Sequence, residues 1–96
     1  MVKARPTCDV KNPAGLKAFA DRLRYLRKQK GLSQKKLADI ANIEQTTVAR
    51  IELVKLAPTL DLLISISRAM ELEIYELVHD PAITNSDKEI RGAAPN

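Results

Sequence analysis

The sequence predicts a compact all-α bundle, and three observations lead there. The apolar residues are mainly leucine, isoleucine and alanine, with one phenylalanine, two tyrosines and no tryptophan among 96 residues. Those residues recur at helical spacing, as in Phe19, Leu23 and Leu26 and again in Leu37, Ala38 and Ala41. Helix starts and stops punctuate the runs: Ser33 and Thr59 are good N-caps, and Gly31 and Asn42 favour left-handed exits.

Residues 1–15 contain Pro6, Pro13 and Gly15 and show no period, so they read as an arm, made basic by Lys3, Arg5 and Lys11. The first helix is expected from about Leu16 to Lys30, with Gly31 as its stop signal. Lys28 and Lys30 suit the negative end of its dipole. The second helix is expected over Gln34–Ala41 and the third over Gln45–Leu53. A loop then runs to Pro58. Thr59 caps a fourth helix that reaches about Met70, with Asp61 in its first turn. A short fifth helix spans Glu73–Val78 and ends before Pro81. Residues 81–96 are polar and read as a tail. The expected core is Phe19, Leu23, Leu26, Leu32, Leu37, Ala38, Ala41, Val48, Ile51, Leu63, Ile64, Ser67, Met70, Ile74 and Leu77. A helical serine can bond back to a carbonyl one turn earlier, which makes Ser67 tolerable inside.

The stretch GLSQKKLADIANIEQTTVARIELVK, from Gly31 to Lys55, joins two short helices by a tight turn. Val48 and Ile51 point one way, while Gln45, Thr46, Ala49 and Arg50 point the other. A helix-turn-helix of this kind presents its second helix to the major groove of DNA. The segment resembles the lambda-repressor-like (Cro/XRE-type) helix-turn-helix family. The likeness extends through FADRLRYLRKQKG and APTLDLLISISRAMELEIYEL, so it covers about 60 of the 96 residues, Phe19 to Val78. It implies a five-helix bundle whose second and third helices form the motif. Residues 16–80 are then the DNA-binding domain, between a basic arm at 1–15 and a polar tail at 81–96.

The resemblance also implies roles for single residues. Base contacts would come from Glu44, Gln45, Thr46 and Arg50. Their chemistry fits: glutamine pairs with adenine, arginine with guanine, the threonine methyl with thymine, and glutamate accepts from cytosine. Phosphates would be held by Gln34 at a helix N-terminus, with Lys35, Thr47 and Lys55. Arg27 and Glu52 would form a structural ion pair fixing the third helix to the first. Leu53, Val54, Leu56 and Leu62 stand where polar residues are common in the family and could form an apolar dimer interface, or fold back on the core. The family pattern is broken by Asn42 in place of a turn glycine, by Glu44 in place of a Ser or Thr cap, and by Val54 in place of a helix-ending glycine. Valine at positive φ is strained, so either the third helix extends or the next loop differs.

Charge adds to this reading. Residues 1–36 carry eleven Lys/Arg against two Asp/Glu, a balance of +9, while residues 37–96 carry five against ten, a balance of −5. A charge run alone reads as a solvated face. Beside a helix-turn-helix it reads as the electrostatic footprint of a DNA binder. One cysteine, Cys8, fits a reducing cytoplasm, and with His79 the only histidine no zinc set can be assembled. No cofactor, metal, membrane span or signal peptide is expected, and no catalytic constellation argues for an enzyme. The expectation is a dimeric, sequence-specific transcriptional regulator of double-stranded DNA, such as a restriction-modification controller or mobile-element repressor. The alternative is an antitoxin-like or other protein-interaction module that uses the fold to hold a small protein partner.

Overall fold

The computed structural model describes residues 11–81 and 83. These form five helices and, among the described residues, no strand: α1 (Pro13–Gln29), α2 (Gln34–Ala41), α3 (Gln45–Glu52), α4 (Leu60–Ala69) and α5 (Ile74–Leu77). α2 packs on α3 and α4, α1 packs on α3 and α5, and α4 packs on α5. None of these helices is long and apolar enough to cross a membrane. Lys3, Arg5 and Cys8 of the expected arm, and nearly all of the tail, lie outside the described residues.

α1 begins at Pro13, three residues before the expected start and inside the segment read as an arm. Proline suits a first turn, where its fixed φ is already helical and its missing N–H bonds nothing. Leu16 N–H closes that turn on the Asn12 carbonyl at 2.9 Å. The Ser33 hydroxyl caps α2 by accepting from Lys36 N–H at 3.0 Å, and the Thr59 hydroxyl caps α4 from Leu62 N–H at 3.2 Å. α5 is opened by a capping box between Glu73 and Glu76 that the sequence reading did not pick out. Four residues leave α5 with unsatisfied carbonyls. One is met by Arg22 Nε, which donates to the Glu76 carbonyl at 3.0 Å and ties α5 to α1.

Four helices end in one way. Gly31, Asn42, Val54 and Glu71 each take a positive φ, between 58° and 72°. After each, the next N–H reaches back to a carbonyl in the last helical turn: Leu32 to Arg27, Ile43 to Ala38, Lys55 to Arg50 and Leu72 to Ser67, at 2.8–3.0 Å. This is the six-to-one bond of a Schellman motif. α3 therefore does not extend through Val54. The valine takes the left-handed position itself, where a β-branched side chain is strained.

The core gathers Phe19, Leu23, Leu26, Leu37, Ala38, Val48, Ile51, Ile66, Met70 and Leu77. Each fully buried leucine contributes about 1.5–3 kcal/mol by leaving water. Ala20 and Ile66 are buried although they were not expected. Leu32, Leu63, Ile64 and Ile74, expected inside, are only half-buried; for Leu63 and Ile64 the reason is that α4 is turned to put Ile66, Ser67 and Met70 inward. Ser67 Oγ donates to the Ile64 carbonyl at 2.9 Å, as its place in the core requires.

Candidate nucleic-acid interface

α2 and α3 meet through a turn only three residues long, with left-handed Asn42 at its start. Val48 and Ile51 anchor α3 from below at 0% and 2% exposure. That leaves Glu44, Gln45, Thr46 and Arg50 exposed along the opposite face. Eight residues at 1.5 Å each make α3 about 12 Å long, close to the width of a major groove. Glu44 precedes α3 but its side chain makes no capping bond. The Arg50 side chain makes no hydrogen bond or ion pair among the described residues.

Beneath this face is a buried ion pair. Arg27 Nε and Nη2 donate to the two oxygens of Glu52 at 2.7 and 3.0 Å. Arg27 Nη1 donates to the Leu32 carbonyl at 2.8 Å, just beyond the end of α1. The two side chains are 9% and 1% exposed. The expected pairing of α1 with the end of α3 is therefore present, and it is bidentate. Burial alone would raise the Glu52 pKa. Hydrogen bonds from Arg27 and Gln34, the Arg27 charge and a bond from Arg24 together outweigh burial and hold the carboxyl below its ordinary value of 4.5.

Two further donors reach the same carboxylate. Gln34 Nε2 donates to Glu52 Oε1 at 2.9 Å, and Arg24 Nε donates to that oxygen at 3.4 Å. Gln34 Oε1 in turn accepts from Gln45 Nε2 at 3.0 Å. The first residue of α2 and the first residue of α3 are thus joined to each other and to the last residue of α3. Sequence reasoning placed Gln34 and Gln45 separately, one on phosphate and one on a base, and missed the bond between them. It missed Arg24 altogether. Arg24 lies one turn before Arg27 on the same helix face, and that spacing is the signal that would have found it.

The other expected site residues are less concentrated. Lys35 is exposed on α2 and pairs with Asp39 at 3.5 Å. Thr47 is half-buried, and Lys55 is exposed beyond α3. Of the four residues expected to form an apolar surface, Leu53 is 60% exposed, whereas Leu56 and Leu62 are half-buried against the core. Val54 is half-buried as well. The loop between Leu53 and Leu60 is short, so Leu56 is drawn inward as α4 docks. Leu60, not anticipated, is 64% exposed at the start of α4. The apolar surface in this region is therefore carried by Leu53 and Leu60 more than by Leu56 and Leu62. Among the described residues no group of acidic, histidine or cysteine side chains could hold a metal ion.

Comparison with known proteins places the geometry. Residues 23–77 match the helix-turn-helix family model HTH_3. Among solved structures, the restriction-modification controller protein C.AhdI from Aeromonas hydrophila is 34% identical, with a TM-score of 0.63, and the match covers 65% of this chain and 94% of that one. An HTH_3 family transcriptional regulator from Vibrio cholerae is 22% identical with a TM-score of 0.71. That match covers 81% of this chain but only 44% of the Vibrio chain. The hypothetical transcription factor NHTF from Neisseria is 21% identical with a TM-score of 0.67, over 91% of this chain and 98% of that one. At such identities the last two share the fold alone. No curated protein sequence matches the chain.

Proposed function

We propose that this chain, which belongs to the HTH_3 helix-turn-helix family, reads a specific duplex sequence with α3 in the major groove, as one half of a two-fold dimer. At the coarser level it is a DNA-binding helix-turn-helix transcriptional regulator and not an enzyme. The observation that carries the finer reading is the division of α3 into two faces. Val48, Ile51 and Glu52 hold it rigidly to the domain, and Glu44, Gln45, Thr46 and Arg50 stand exposed opposite them. In this reading Arg50 pairs with guanine and Gln45 with adenine, while Thr46 and Glu44 meet neighbouring bases. Gln34, Lys35, Thr47 and Lys55 hold phosphates on either side and set register.

A single eight-residue reading helix touches few base pairs, too few to find one site among many competitors. Two copies related by a two-fold axis would read a palindrome with half-sites about 34–36 Å apart. Leu53 and Leu60 give the dimer its apolar contact, and Val54, Leu56 and Leu62 back them. The C.AhdI likeness makes control of restriction-modification genes the kind of regulation we favour, carried out in the cytoplasm on the cell's own DNA. The exposed leucines serve the alternative of a small protein partner equally well.

Selection from a pool of random duplexes tests the proposal. The wild-type protein should enrich a palindromic site. Arg50→Ala should then bind it more weakly by about 1–3 kcal/mol and lose its preference at one base pair per half-site. Unchanged preference in a folded Arg50→Ala protein removes Arg50 from the reading set. Enrichment of no site at all would leave the protein-partner alternative standing.

A further inference from the structure

We infer that Arg24 is a DNA-backbone ligand, a guanidinium that moves from Glu52 to a phosphate when the duplex docks. The inference rests on the reading that DNA lies across α2 and α3. Arg24 shares one carboxylate with Arg27, and the two are not equal partners. Arg27 holds Glu52 with two bonds of 2.7 and 3.0 Å, and Gln34 adds a third at 2.9 Å. Arg24 comes last, with Nε at 3.4 Å from Oε1 and Nη2 at 3.5 Å from the Glu52 carbonyl, both at the outer limit of a hydrogen bond. Its side chain is 45% exposed, against 9% for Arg27.

The charges give the same result. One carboxylate balances one guanidinium, and Arg27 is the one it balances. Arg24 is surplus positive charge, retained beside the carboxylate by weak contacts and open to water. Its location is specific as well. Arg24 and Gln34 donate to the same oxygen, and Gln34 is bonded to Gln45. The surplus guanidinium therefore stands beside the first residues of both motif helices, where free amides and helix dipoles already favour an anion. A phosphodiester offers a guanidinium short, paired, charge-assisted bonds, which the two long contacts to Glu52 are not. Releasing Arg24 gives up only these two long contacts and leaves Glu52 held by Arg27 and Gln34, so the fold resists the move weakly.

The test compares wild type, Arg24→Gln and Arg24→Lys on the duplex that the wild type enriches, by fluorescence anisotropy from 0.05 to 0.3 M KCl. Arg24→Gln should lower the slope of log K against log salt by about 0.9 for each Arg24 engaged. If both proteins bind equally at 1 M salt, that slope difference makes Arg24→Gln about fivefold weaker per site at 0.15 M. Arg24→Lys should keep most of the slope, and base preference should be unchanged in both, because a phosphate contact carries no sequence information. Melting temperature is the second readout. A purely structural Arg24 would give Arg24→Gln a lower melting temperature with the wild-type salt slope, and that result overturns the inference. A wild type that enriches no duplex removes the reading beneath it, and the inference falls with that reading.

Discussion

Glu52→Gln is the substitution that most sharply separates the roles in the buried network. Glutamine has nearly the shape of glutamate, so packing is preserved and only charge and hydrogen-bond polarity change. In the wild type Glu52 accepts from Arg27, Gln34 and Arg24. Without the carboxylate, a guanidinium that is 7% exposed keeps its charge and loses its counter-ion. Removing one partner of a buried pair costs about 3–5 kcal/mol, a large part of the roughly 5–15 kcal/mol that stabilises a domain. Arg27→Met should behave differently. It strips the stronger partner but leaves Glu52 with Gln34 and with Arg24, which can close in from 3.4 Å. Its cost should be about 1–3 kcal/mol, nearer that of a lost hydrogen-bond partner than of a stranded charge.

Urea unfolding followed by circular dichroism measures both, with the free energy extrapolated linearly to water. At about 4–8 °C per kcal/mol for a domain of this size, Glu52→Gln should also lose well over 10 °C in melting temperature. Replacing both residues with apolar ones, as in Arg27→Met with Glu52→Leu, should recover much of the loss. The reasoning fails if Glu52→Gln costs under about 1 kcal/mol. It fails equally if Arg27→Met proves the more damaging, because Arg24 would then be no substitute.

Three further outcomes are expected. The Glu52 carboxyl is held below 4.5 in the fold, so its contribution is complete above that value and is lost as pH falls through its folded pKa; acid unfolding of wild type should include a step below pH 4.5 that Glu52→Gln lacks. Val54→Gly should raise the melting temperature, since relief of about 1–2 kcal/mol of left-handed strain exceeds the roughly 0.5–1 kcal/mol entropic cost of glycine; a fall instead would mean that the half-buried valine packs too well to lose. Leu53→Glu should turn a dimer into a monomer in sedimentation velocity without unfolding it, because Leu53 is exposed while Leu56 supports the core; a wild type already monomeric at micromolar concentration with its site present rules out the two-fold model.

What could be read in the sequence was local chemistry. Ser33 and Thr59 declared themselves as caps by residue type, and Gly31 and Asn42 as left-handed exits, so α2 and the turn after it were found residue for residue. Val54 and Glu71 occupy the same left-handed position, yet neither residue type signals it. The chain is forced there because α3 and α4 must stop for the next helix to pack, and tertiary burial outweighs the local preference. The apolar period found the core but misjudged the rotation of α4, where five apolar residues stand among Leu60–Ile66 and only packing against α2 and α5 selects which of them is buried. The exposed face of α3 that the proposed reading uses was legible from helical spacing. Of the network behind it, resemblance supplied the Arg27–Glu52 pair, but the contacts of Gln34 and Arg24 were not legible, because these residues lie 18 and 28 positions from Glu52 and meet it only in the folded chain.

That network fixes more than position. A carboxylate can only accept, so Glu52 compels Gln34 to turn its amide nitrogen inward. Gln34 must then present its oxygen to α3, and Gln45 must answer with a nitrogen, as the 3.0 Å bond between them records. An amide group carries two N–H donors and one acceptor oxygen. After giving one donor to Gln34, Gln45 retains one donor and one acceptor, the pair that adenine N7 and N6 require in the proposed reading. The charge buried at the end of α3 thus sets which way the amide at its start faces. Were position 52 a neutral amide, either end of it could face Gln34, both glutamines could flip together, and the reading face would lose a fixed polarity. In the proposed reading, stability and readout depend on the same carboxylate, and a change that touches Glu52 disturbs both.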